Sequence, residues 1–195
     1  MNYDSLVDFV EKTAARFGTI DVLVNNAHTI TNPMPFLEKS IEELDIEMHS
    51  SLYAYWHLMK LCFPYLKDKP GAGASIINFG SEAAVAGNAS YSAYAAAKEA
   101  VRGLSRVVAR EWGEYNIRVN TLCPNGFTDN CSTGLTAQSQ EVQEWVKSAF
   151  VNNPFKKAGD SYHDVTPIAV FLASDDSHWI TGQNIHADGG AWITA

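Results

Sequence analysis

In the stretch YSAYAAAKEA, Tyr94 and Lys98 stand four residues apart. On a helix that spacing puts both side chains on one face. An ammonium beside a phenol favours the phenolate and lowers the tyrosine pKa from its ordinary value of about 10. A phenol tuned in that direction serves as a general acid or base. The same spacing also describes an ordinary surface pair, so the neighbourhood decides. Ser81 stands thirteen residues before Tyr94, at the carboxyl end of an apolar stretch that reads as a strand. Ala95, Ala96 and Ala97 leave room for something to approach the helix closely. Asn25 and Asn26 close a second apolar strand with polar groups that either cap a turn or fix a ligand.

These residues need a scaffold, and hydrophobic periodicity supplies one. Residues 4–17 carry Leu6, Val7, Val10, Ala14 and Phe17 at helical spacing, with Gly18 as a stop. IDVLVNNA reads as the first strand. After a loop with two prolines, Ser40 caps a long helix, with Glu43 at the capping-box position. Leu44, Met48, Leu52, Tyr55, Met59, Cys62 and Leu66 form the apolar stripe of that helix, which is expected to run to Leu66. SIINFGS at 75–81 is the second strand. A helix from about Ser90 to Tyr115 follows, with Ala97, Val101, Leu104, Val108 and Trp112 as its core stripe. IRVNTLCP at 117–124 is the third strand, and two more helices, around 139–150 and 162–173, precede a last strand within 182–190.

Helix and strand alternate, and short apolar strands joined by helices imply a parallel sheet with right-handed crossovers and helices on both faces. The expected fold is α/β, a doubly wound parallel sheet of about four strands. Ligands in such sheets sit beyond the carboxyl ends of the strands. The loops after Ala27, from Ser81 and after Pro124 meet there.

Composition narrows the function classes. The 195 residues suit one domain, here taken as 1–195. Lys and Arg number 14 and Asp and Glu 22, a net charge of −8, which argues against nucleic acid or an anionic membrane as partner. No apolar run approaches the roughly 20 residues that span a bilayer. Cys62, Cys123 and Cys131 form no disulfide or zinc framework and read as reduced cytosolic thiols, so a cytoplasmic location is expected and no metal site is. The opening MNYDSLVDFVEK has no signal-peptide character. The sequons at Asn88 and Asn130 are therefore taken as chance matches.

Several motifs in order resemble the short-chain dehydrogenase/reductase family. NNAH is similar to its Asn-Asn-Ala-Gly. Ser81 and Tyr94-x-x-x-Lys98 match its catalytic serine and Tyr/Lys pair. IRVNTLCP resembles the strand before its Pro-Gly loop, and FLASDDSHWITGQNIHADGG resembles its C-terminal signature. The resemblance runs the length of the chain. It implies that Tyr94 exchanges a proton with a carbonyl or alcohol oxygen, that Ser81 hydrogen-bonds that oxygen, and that Lys98 lowers the Tyr94 pKa and binds a nicotinamide ribose. NAD or NADP would exchange hydride with the substrate carbon. Asn25, Asn26, Ala27, Lys98, Pro124 and Asn125 would line the cofactor, and the helices 41–66 and 90–115 would build the interface of a homodimer or homotetramer.

The departures carry as much information. The family opens with a strand, a Gly-rich turn and a helix whose N-terminus holds the pyrophosphate. Nothing here matches that segment, and GAGASI at 71–76 precedes a strand and reads as a plain turn. The fold is accordingly expected as a truncated Rossmann-like sheet lacking the family's first βαβαβ segment, with Val22 to Val24 on an exposed apolar edge. His28 replaces the glycine of Asn-Asn-Ala-Gly, Asn125 replaces the glycine after Pro124, and Ser51 stands at the position of the family's proton-relay asparagine, which makes it a candidate catalytic residue. Three readings follow. The first is an oxidoreductase on a small or medium apolar alcohol or ketone, expected to bind cofactor poorly if this chain acts alone. The second is a cofactor-independent dehydratase, isomerase or retro-aldolase using Ser81, Tyr94 and Lys98. The third is a non-catalytic oligomerising subunit.

Overall fold

The central strands bury all but their last residue, polar members included, because a strand covered on both faces leaves no side chain in water. The computed structural model describes residues 2–127 and 140–193. Its main sheet is parallel and has the order β1-β2-β3-β6, formed by β1 (Val22–Asn25), β2 (Ala74–Phe79), β3 (Ile117–Pro124) and β6 (Asn184–Ala187). The register pairs Val24 with Ile77, Ile77 with Asn120, and Leu122 with Ile185. A short second ladder joins β4 (Gly126–Phe127) to β5 (Gly159–Asp160).

Successive residues of β2 feed two cores. Ile76 packs with Leu23 and Val119 under α1 (Tyr3–Phe17), α3 (Ala54–Leu66) and α5 (Ser92–Trp112), through Val10, Met59, Leu66 and Val108. Ile77 and Leu122 face the opposite way, against Val165 and against Leu172 of α7 (Thr166–Ala173). Helices therefore cover both faces, as the sequence pattern requires. Two further α-helices are α4 (Glu82–Ala86) and α6 (Gln140–Phe150). Among the described residues no helix is long and apolar enough to cross a membrane.

At the sheet edge, Val22 and Val24 are exposed while Leu23 between them points into the core. The expected open edge is thus an alternation of two open valines around one buried leucine. Cys62 and Cys123 are free and buried; Cys131 and Asn130 lie outside the described residues. The GAG of GAGASI is a turn leading into β2, and a Cβ on Gly73 would fall 1.9 Å from the Asn116 carbonyl oxygen, so only glycine fits there.

The long second helix departs from expectation in its middle. Ser40 caps α2 (Ile41–Met48) with a complete capping box: its hydroxyl accepts from the Glu43 amide at 3.2 Å and the Glu43 carboxylate accepts from the Ser40 amide at 3.0 Å. The chain then passes through a π-helical turn at His49–Tyr53 before α3 begins. A π turn holds more residues than an α turn, so it rotates the buried row. The row that faces inward is Glu47, Ser51, Tyr55, Met59, Cys62 and Leu66, all buried, whereas Leu44, Met48 and Leu52 of the expected stripe are only partly covered. Two polar residues are thereby turned into the interior beside the site.

Candidate active site

The crest of the sheet is built by Gly80 and Ser81, which follow β2. A Cβ on Gly80 would meet Cys123 Sγ at 2.7 Å and Thr121 Cγ2 at 2.8 Å, and both neighbours are buried. Glycine therefore lets the chain hug β3 before turning into α4, with Ser81 as the residue before the helix. Ser81 is buried to 5% exposure, at the carboxyl end where expected.

From α5, Lys98 reaches the same crest. Its Nζ donates to the Phe79 carbonyl oxygen at 2.9 Å and lies 5.9 Å from the Tyr94 ring centroid and 5.6 Å from that of Tyr55. Tyr94 and Lys98 thus share a face, and Lys98 ties α5 to the strand end two residues before Ser81. The lysine is 3% exposed, and burial brings its amine down to about 8 from the ordinary 10.5, against smaller upward pulls from Cys123 and Glu47. The fold therefore bears the cost of a nearly dry cation. Between pH 8 and 10.5 the unfolded chain keeps this proton and the folded chain does not, so stability contributed at this site rises with pH across that window. Chemical denaturation of wild type and Lys98→Met across pH 8–10.5 should show wild type gaining on the order of 1–3 kcal/mol relative to the variant. Cys62 and Tyr55, whose burial raises their pKa, are present in both proteins.

The other expected site residues divide by depth. Asn25 is 2% exposed and lies beneath the crest: its amide donates to Asn78 Oδ1 at 2.8 Å, Asn78 donates to Ser105 Oγ at 2.9 Å, and Ser105 donates to the Val101 carbonyl at 2.7 Å. This chain of bonds locks β1, β2 and α5 together. Asn26 and Ala27 are exposed at the strand end. Pro124 ends β3, and Asn125 donates its amide to the Ala187 carbonyl at 2.9 Å. Asn125 also lines a cleft of about 510 Å³ with Asn153, His186 and Asp188. Ser51 is fully buried in the π turn, and its hydroxyl has no hydrogen-bond partner among the described residues.

Sequence reasoning passed over one group, Glu47. It is buried next to His28, with Oε2 3.3 Å from His28 Nε2. The His28 ring in turn leans on Tyr94, with centroids 5.2 Å apart. The only hint in the sequence was the four-residue spacing of Glu47, Ser51 and Tyr55, which an apolar stripe on the same helix obscured.

The set fits one end of a nicotinamide dinucleotide. After its bond to Phe79, Lys98 retains two N–H donors for ribose hydroxyls, and Asn26, Ala27, Pro124 and Asn125 stand along the same crest. Among the described residues no Gly-rich turn leads from a strand into a helix long enough to cradle a pyrophosphate.

Comparison with known proteins agrees with this geometry. The family model described as enoyl-(acyl carrier protein) reductase matches residues 1–191. The 12alpha-hydroxysteroid dehydrogenase of Clostridium sp. is 38% identical over 191 residues, covering 96% of this chain and 70% of the relative. The trans-4-hydroxycyclohexanecarboxylate dehydrogenase of Sinomonas cyclohexanicum is 34% identical, covering 97% and 67%. A crystal structure from Burkholderia xenovorans, described as a short-chain dehydrogenase/reductase, superposes with a TM-score of 0.87 at 27% identity, covering 97% of this chain and 72% of that one. The chain belongs to the short-chain dehydrogenase/reductase family of oxidoreductases.

Proposed function

We propose that this protein interconverts a secondary alcohol and a ketone with NAD or NADP. The observation that carries the reading is the tie from Lys98 Nζ to the Phe79 carbonyl, which sets the Tyr94–Lys98 face of α5 against the strand end that presents Ser81. The bound nicotinamide supplies hydride. The protein's own work is to hold oxygen and move a proton. Tyr94 gives its phenolic proton to the carbonyl oxygen in reduction and takes it back in oxidation. Ser81 hydrogen-bonds the same oxygen. Lys98, cationic at pH 7 and poorly solvated, favours the phenolate and directs its remaining N–H groups to the ribose. Asn26, Ala27, Pro124 and Asn125 border the cofactor.

Two relatives named for alcohols on saturated rings point to ring-borne secondary alcohols as the first substrates to try. Exposed Ile46, Tyr53, Trp56 and Val107 on α2, the π turn, α3 and α5 support a homodimer or homotetramer through that helical face. Buried free thiols support a cytoplasmic location. The test is calorimetric titration with NAD(H) and NADP(H), followed by absorbance of the reduced nicotinamide in the presence of 4-oxocyclohexanecarboxylate and oxo-steroids. Binding with ketone-dependent oxidation supports the reading. Absence of both from the purified chain overturns it for this chain acting alone.

A further inference from the structure

His28 and Glu47 are buried ionisable groups at the site to which alcohol oxidation gives no task. Their side chains are 9% and 1% exposed. Glu47 uses both oxygens. Oε2 faces His28 Nε2 at 3.3 Å, while Oε1 accepts from the Thr31 amide at 3.1 Å and from the Thr31 hydroxyl. That hydroxyl accepts from Lys39 Nζ at 2.9 Å. On the other side of the ring, His28 Nδ1 lies 3.4 Å from Ser50 Oγ, and Ser50 is only half-buried. Tyr94 packs against the imidazole from α5, and Lys98 acts on it from the same helix.

The protonation states follow from these contacts. Burial lowers the His28 pKa, more than Glu47 raises it. Burial pushes Glu47 up, but the nearby His28 ring and the bonds from Thr31 win and leave it below the usual carboxylate value. At neutral pH the pair is a neutral imidazole on a carboxylate. Glu47 Oε2 sets a carboxylate charge 3.3 Å from Nε2, while Nδ1 faces the Ser50 hydroxyl at 3.4 Å and is the nitrogen placed to take a proton. A carboxylate held against a histidine ring stabilises the imidazolium that forms when the ring takes a proton, and so makes it a more effective base. Here that base abuts Tyr94, the acid of the site. An acid that holds a carbonyl oxygen and a base within one ring contact of it are the two groups that enolisation requires.

We propose that the site also catalyses enolisation, exchanging protons at the carbon next to a bound ketone carbonyl without any nucleotide. The C–H bond breaks and its proton passes through the Ser50 hydroxyl to His28 Nδ1. The C–H electron pair becomes the new carbon–carbon π bond, and the carbonyl π pair takes the Tyr94 proton, giving the enol. The reverse steps return both protons, so nothing is oxidised or reduced. His28 is the base, Ser50 the relay and Glu47 a positioning residue. The proposal rests on Tyr94 and Ser81 binding a carbonyl oxygen, as in the oxidoreductase reading, and not on cofactor binding.

The experiment incubates the purified chain, free of nucleotide, with cyclohexanone and 4-oxocyclohexanecarboxylate in deuterated buffer and follows loss of the α-proton signal by NMR. Wild type is expected to exchange at least one of the two faster than buffer or heat-denatured protein. His28→Asn and Tyr94→Phe should each lose about 100-fold or more of the enzymatic rate. Glu47→Gln should lower the rate and also move the rising limb of the pH–rate profile to lower pH, because the imidazolium loses its counter-charge. A purely structural Glu47 would lower the rate without moving the limb. Exchange by wild type no faster than by buffer overturns the proposal, as does a folded His28→Asn that exchanges like wild type. Should His28→Asn fail to fold, the Glu47→Gln profile decides. Exchange without nucleotide-dependent turnover, or the converse, shows which of the two readings has failed.

Discussion

Replacing Tyr94 with Phe is expected to cut ketone reduction by about 10²- to 10⁴-fold, the range that a positioned general acid contributes. Phe keeps the ring, so the packing against His28 at 5.2 Å and Tyr91 at 6.0 Å survives. What disappears is the hydroxyl assigned to proton transfer onto the carbonyl oxygen. The loss should therefore fall on kcat with little change in KM, the signature of an interaction made only in the transition state. Lys98→Met should approach the same loss by a different route. It removes the charge that favours the phenolate, removes the bond to Phe79, and relieves the cost of burying an ammonium at neutral pH. The pair of variants separates the two roles: Tyr94→Phe is slow with a melting temperature that follows pH as wild type does, and Lys98→Met is slow with a melting temperature that depends differently on pH. Single-turnover rates with saturating reduced nucleotide, beside thermal melts, supply both readouts. A Tyr94→Phe protein that reduces ketone at the wild-type rate would remove the tyrosine from the mechanism and favour the scaffold reading of this chain.

What could be read before the structure was whatever a short window expresses. β3 runs from Ile117 to Pro124 as expected, because seven of its eight residues are buried and the proline ends it. The capping box at Ser40 is a four-residue signal and it formed. The Tyr94–Lys98 pair needed only helical spacing to be placed on one face. Features that depend on relations between elements were hidden. The π turn at His49–Tyr53 leaves no break in hydrophobicity, since Leu44, Met48 and Leu52 still suggest a continuous stripe. Only packing against α5 decides that Glu47 and Ser51 turn inward instead. The helix expected over 162–173 likewise divides into a π turn at Ser161–Val165 and α7. β4 and β5 have two residues each, too few to show any period. His28 could be noticed as an oddity in NNAH, but its significance needed Glu47, nineteen positions away on another element. Sites that depart from local sequence rules are where function concentrates, and buried Glu47 on α2 with Ser51 on the π turn is such a departure.

Arg118→Met is expected to destabilise the fold by about 3–5 kcal/mol, although the residue lies away from the catalytic crest. Arg118 sits near the start of β3 and is 5% exposed. Its Nη1 donates to the Leu172 carbonyl at 3.0 Å and to Ser177 Oγ at 2.7 Å, and its Nη2 donates to the Ser174 carbonyl at 3.2 Å. Ser75, its partner across the β2–β3 ladder, donates to the same Leu172 carbonyl at 2.7 Å. Two strands thus satisfy the carbonyls at the C-terminal end of α7, where the helix dipole is negative and a guanidinium is favoured. Met fills much the same volume but offers no donor, so the Leu172 and Ser174 carbonyls lose their charged donor and keep only serine hydroxyls, and the second core face, built on Leu172 and Val165, loses its anchor. For a chain of this size each kcal/mol moves the melting temperature by about 2–4 °C, so a fall of roughly 10 °C is expected. The comparison is Lys12→Ala. It breaks an ion pair with Asp8 at 2.7 Å whose side chains are 76% and 59% exposed, and such a pair is worth well under about 1 kcal/mol. Equal melts for the two variants would mean that the buried guanidinium network contributes no more than a surface pair. A large gap between them would place the stability of the second face in two hydrogen bonds to the end of α7 and one to Ser177 beyond it. Because Asp164 and Ile168, which lead into and lie on α7, also line the cleft beside Asn125, activity of Arg118→Met should then be near wild type when cold and fall off steeply on warming.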